Sequence, residues 1–74
     1  MITIVFVDDG QDFLEWDVND KGEVVDCRPF QGWLWVGMIV QNKTIKPGDH
    51  ITYIAKDGTR HTLVHAVENV KQIA

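Results

Sequence analysis

Turn-forming clusters punctuate this chain so often that no apolar segment between them is long enough for an independent helix, and that spacing most restricts the fold. Asn19-Asp20-Lys21-Gly22, Lys46-Pro47-Gly48-Asp49 and Asp57-Gly58 are all built from residues that favour chain reversal. Between them lie short runs rich in β-branched and aromatic residues. Ile2 to Val7 reads as a strand stopped by Asp8-Asp9-Gly10. Phe13 to Val18 alternates, which points Leu14, Trp16 and Val18 inward and leaves Glu15 and Asp17 on the other face. Gly22 stands where a left-handed residue closes a type I turn with a bulge, so Phe13 to Cys27 is expected to form a hairpin.

Arg28-Pro29 ends that pairing, because proline lacks a ladder donor and holds the preceding residue extended. The run from Trp33 to Val40 then reads as a strand apolar on both faces, with Trp33 and Trp35 on one side and Leu34 and Val36 on the other. Gln41 to Asp49 is a polar loop with Ile45 as its one apolar anchor. His50 to Lys56 and Thr59 to Val67 flank Asp57-Gly58 as a second hairpin, and one tight turn near Glu68-Asn69 leads into a short closing strand. The alternative for the tail is one helical face formed by Leu63, Ala66, Val67, Val70, Ile73 and Ala74. The expectation is an all-β chain: a small SH3-like barrel, or a strongly bent antiparallel sheet, of five to six strands.

Seventy-four residues imply a single domain, 1–74, since so short a chain buries too small a share of its surface for two cores. The lone Cys27 leaves no intrachain disulfide and no multi-thiolate metal site, and a reducing, cytoplasmic setting follows as the simplest expectation. The longest apolar run, Trp33 to Val40, is eight residues, far short of the ~20 that span a bilayer as a helix. Met1 to Val7 carries no basic leader of the signal-peptide kind. A net charge of −4 disfavours generic nucleic-acid binding, which draws most of its affinity from a basic face. Acidic residues crowd the chain before Cys27 and most basic ones follow it, a pattern suited to a two-faced surface.

The strand spacing, the segment "IKPGDHITYIAKDGTRHTLVHAV" and the ending "VENVKQIA" resemble the SH3-like and Sm-like small barrels. The segment "DFLEWDVNDKGEVVDCRPFQGWLWVG" resembles small uncharacterised proteins of prophages and mobile gene cassettes. That likeness implies a genomic setting and no activity.

Several side chains invite a functional reading. A two-residue Asp57-Gly58 loop would set His50 opposite His65 and Ile54 opposite His61, placing all three histidines on one face and two within reach of one metal ion. No carboxylate joins them in that register, so a polar sheet face is the expectation and no metal or cofactor is assigned. Asp8, Asp9 and Asp12 lack the spacing of a calcium loop and read as a solvated turn. Glu15 and Asp17 share a face without a cleft in which to act as acid and base. Cys27 has no histidine near it in sequence and reads as a packing residue. With no phosphate-binding loop or nucleophile elbow in the chain, the expectation is no enzyme.

The aromatic stretch remains. Tryptophan and arginine are enriched at binding hot spots, so Arg28, Phe30, Trp33 and Trp35 are the candidate contact residues. The expected function is a non-catalytic protein-binding module that self-associates through this stretch as a homo-oligomer. The alternative is an oligomeric Sm-like or OB-like binder of single-stranded nucleic acid that gathers Lys43, Lys46, Lys56, Arg60 and Lys71 on one side.

Overall fold

The computed structural model describes residues 1–7, 12–29 and 32–73, with Gly32 and Trp33 described in backbone only. The elements run β1 (Ile2–Val7), β2 (Phe13–Val18), β3 (Val24–Arg28), α1 (Gly32–Trp35), β4 (Ile39–Val40), β5 (Thr52–Ile54), β6 (Arg60–Thr62) and β7 (Asn69–Gln72). Four strands form an antiparallel sheet in the order β3-β2-β1-β7, and three form a second in the order β4-β5-β6. The all-β expectation is met. The described residues form no closed barrel, however, and their strands number seven rather than five or six.

The first hairpin follows its residues closely. Asn19 Oδ1 accepts from the amides of Lys21 and Glu23, the Gly22 amide donates to the Asn19 carbonyl, and Gly22 sits at φ +86°. β2 and β3 pair through Trp16–Cys27 and Glu15–Arg28, with a bulge beside Asp17 and Val18. β3 ends at Arg28, as the following proline requires, and the Arg28–Pro29 bond is cis. Leu14, Trp16 and Val18 are buried as alternation predicts, together with Ile4, Phe6, Val24, Cys27, Val40, Ile51 and Val67. Trp16 sits at the centre of this core. The ring of Phe6 meets it edge-on at 4.9 Å, that of Tyr53 edge-on at 5.6 Å, and Trp35 lies tilted at 6.3 Å.

The stretch expected to run as one strand from Trp33 to Val40 does not. It is a single helical turn, Gly32–Trp35, then a reversal at Gly37 (φ +97°), then the two-residue β4. A run apolar on both faces has no period with which to tell strand from turn. Gly37 decides the matter, because its left-handed backbone redirects the chain, while its amide donates to the Val24 carbonyl and the Met38 amide to that of Trp35. The reversal brings β4 alongside the start of β3. The Val24 amide donates to the Met38 carbonyl, the Val40 amide to the Gly22 carbonyl, and Glu23 bridges Ile39, which joins the two sheets.

The second hairpin forms one residue out of the expected register. Ile54 pairs with Arg60, Tyr53 with His61 and Thr52 with Thr62. The loop is longer than the two residues Asp57-Gly58: the Ala55 amide donates to Thr59, the Gly58 amide to Ala55, and Gly58 sits at φ +89°. That is the three-residue pattern of a type I turn closed by a left-handed glycine. β6 also ends at Thr62 rather than near Val67. The closing strand is present as β7, paired with β1 from Ile2–Gln72 to Val5–Asn69, so the tail is strand and not helix.

Candidate functional site

The one-residue slip in the second hairpin dissolves the histidine cluster, because a shift of one moves a side chain to the opposite face. His61 faces Tyr53 and stacks on it at 5.5 Å, while His50 donates from Nδ1 to the Leu63 carbonyl at 3.1 Å. His65 lies beyond the end of β6, on the rim of an apolar pocket of about 200 Å³ with Phe6, Leu14, Trp35, Tyr53 and Val64. Among the described residues no three histidine, cysteine or acidic side chains are grouped to hold a metal ion.

The hairpin does hold a chain of polar groups that sequence reasoning missed. Thr59 Oγ1 donates to Asp57 Oδ1 at 2.6 Å and thereby accepts from His61 Nε2 at 2.8 Å. A catalytic triad needs the histidine between carboxylate and hydroxyl, so that it can take the hydroxyl proton. Here the hydroxyl is in the middle and its proton is committed to Asp57, whose carboxyl the Thr59 hydrogen bonds hold below the usual carboxylate range. The chain braces an exposed turn.

Of the four residues singled out for binding, Arg28 and Trp35 are described in full, and the structure separates them. Trp35 turns inward beside Trp16. Arg28, opposite Glu15 in the ladder, lies on the outer face of the four-stranded sheet. Trp33 belongs to α1, and Phe30 lies outside the described residues.

That outer face is built from alternate residues of three adjacent strands: Thr3 and Val5 of β1, Phe13, Glu15 and Asp17 of β2, and Asp26 and Arg28 of β3. Arg28 organises it. Its guanidinium holds Asp17 in a bidentate pair, with Nη1 and Nη2 each at 2.7 Å, while Nε reaches Glu15 at 3.2 Å and Nη1 reaches Asp26 at 3.1 Å. Thr3 Oγ1 adds a hydrogen bond to Asp17 at 2.7 Å, and Lys71 of β7 lies 3.8 Å from Glu15. These partners push the Asp17 pKa down, Arg28 first, and raise that of Arg28, chiefly through Asp17.

At the end of this network stands Phe13, 60% exposed although aromatic. With Glu15, Arg28 and Pro29 it lines a shallow depression of about 320 Å³. No family model matches the chain, and neither a curated protein nor a solved structure matches it. The geometry alone therefore carries the functional argument. The signal that pointed to Phe13 was in the alternation itself: the pattern that sends Leu14, Trp16 and Val18 inward puts Phe13 outward with Glu15 and Asp17.

Proposed function

We propose that the chain is a non-catalytic protein-binding module, and that its docking surface is the outer face of the four-stranded sheet, centred on Phe13. The observation that supports this is a large aromatic side chain left exposed beside a fixed arginine and a proline on a sheet face that is mostly polar and cross-linked by ion pairs. Aromatic anchors with arginine neighbours supply most of the free energy at protein interfaces. The four-stranded sheet is a rigid platform for them, since both β1 and β2 are flanked by strands on each side. In this reading Trp35 gives way to Phe13 as the anchor, because Trp35 is engaged with the core. A second copy of the chain is one available partner.

The test compares immobilised wild type with Phe13→Ser and with Val64→Ser, a matched control at another exposed apolar side chain. Partner capture, and any mass above 8.5 kDa in light scattering, should survive the Val64 change and be lost with the Phe13 change. Retention of both by Phe13→Ser would remove the basis of the proposal.

A further inference from the structure

The outer face also specifies the charge of what binds it, an argument that rests on the docking reading above. An arginine on an exposed face is a natural match for an acidic partner, yet all but one of the Arg28 donors are taken. Four hydrogen bonds to Glu15, Asp17 and Asp26 use four of the five N–H groups that a guanidinium carries. Asp17 is likewise consumed, with both carboxylate oxygens bonded to Arg28 and one also to Thr3.

What remains open is acceptor capacity. From the described residues Glu15 receives one hydrogen bond, on Oε1, with Lys71 no nearer than 3.8 Å to Oε2. Asp26 accepts one on each oxygen, from the Cys27 amide and from Arg28, and its 58% exposed side chain keeps a second lone pair on each open to solvent. Three carboxylates thus face two cations across this network, within a chain of net charge −4. A ring with a negative π face next to unsaturated carboxylates favours a cation placed over it.

We infer that the occupant of this face is a protein segment bearing lysine or arginine, with the cationic head laid across Phe13 and donating to Glu15 and Asp26, and its aliphatic stem against Pro29. An acidic segment meets uncompensated carboxylates and finds one free donor on Arg28.

The experiment uses the ¹⁵N-labelled full chain and two synthetic capped peptides, GKPRYG and its acidic counterpart GEPEYG, followed by amide shifts. The cationic peptide should move the amides of Phe13, Glu15 and Arg28 and weaken steadily as salt is raised, since exposed charge pairs are screened. Phe13→Ser and Glu15→Gln should each lower its affinity by about two- to fivefold, the range of an exposed cation–π or ion pair. Glu15→Gln keeps the shape of the side chain, and unchanged amide shifts elsewhere confirm the fold. Equal or tighter binding of the acidic peptide overturns the charge assignment while leaving the docking face in place. Silence from both peptides, with partner capture still dependent on Phe13, does the same. Silence from both with capture indifferent to Phe13 removes the face and its specificity together.

Discussion

A single carboxylate shows how the outer face is held. Asp17 accepts three hydrogen bonds, one from Thr3 and two from Arg28, and its side chain is only 13% exposed. Its folded pKa therefore lies below the ordinary 3.8, with Arg28 the largest cause. A depressed carboxylate contributes stability that is fully present above its unfolded pKa and is lost as pH falls through the folded one. The window is thus acidic, below about pH 4. Asp17→Asn should cost about 1 to 2 kcal/mol at neutral pH, discounted for the solvent exposure of Arg28, and should flatten the loss of stability below pH 4. Urea unfolding across that range measures both, and an unchanged acid slope in the variant would clear Asp17 of any part in it. Across the sheet the neighbouring pair behaves oppositely. Burial first, then Asp26, pushes the Cys27 thiol up to about 11, and the Trp16 indole N–H is buried with no hydrogen-bond partner among the described residues. The inner face is held by packing rather than by polar pairing.

At the scale of elements, two turn glycines separate backbone strain from close approach. Gly22 and Gly48 have similar left-handed backbones, φ +86° and +95°, so alanine at either meets the same conformational penalty of about 1 to 2 kcal/mol. A Cβ at Gly22 would also stand 2.8 Å from the Val40 carbonyl oxygen, where the first hairpin receives β4, while a Cβ at Gly48 would meet nothing within 4 Å. Gly22→Ala should therefore destabilise by at least about 1 kcal/mol more than Gly48→Ala, since overpacking against backbone adds its own cost. Thermal unfolding of the two variants side by side tests this, and equal losses would mean that the sheet junction yields without strain. The same elements show what was legible in the sequence. β1, β2 and the first turn could be read because alternation and Asn19-Asp20-Lys21-Gly22 act locally. The Trp33 to Val40 segment could not, because its course depends on Gly37 bonding to Val24, a contact that no local pattern encodes. The histidine face failed for a related reason: Asp57-Gly58 announces a turn, but whether the loop holds two residues or three is set by Ala55 and Thr59 closing around it. Of the candidate contact residues, Arg28 lies on the outer face that it organises, while Phe13 is legible only as the outward partner of the alternation that buries Leu14, Trp16 and Val18.

For the whole molecule, the two sheets are unequal partners. The four-stranded sheet contributes Ile4, Phe6, Leu14, Trp16, Val18, Val24 and Cys27 to the core, and the three-stranded sheet contributes Val40 from a strand. Every residue of β6 is exposed, and β5 is only half-buried. No helix among the described residues is long and apolar enough to cross a membrane. Local opening free energy follows the apolar contacts that must be broken, and is smallest where a short ladder lies over little buried surface. The amides of Ile4, Phe6 and Trp16 should exchange with solvent only at the rate of global unfolding, and those of the β5–β6 ladder at least about tenfold faster. Native-state hydrogen exchange resolves the two classes, and identical rates would make the sheets a single cooperative unit. The difference bears on binding. If the four-stranded sheet opens the more slowly, the face proposed for docking is ordered before any partner arrives, and binding there would lose little conformational entropy. The three-stranded sheet, with Val64 exposed beyond β6, would have no such advantage, which favours the outer surface of β1, β2 and β3 in the proposed reading.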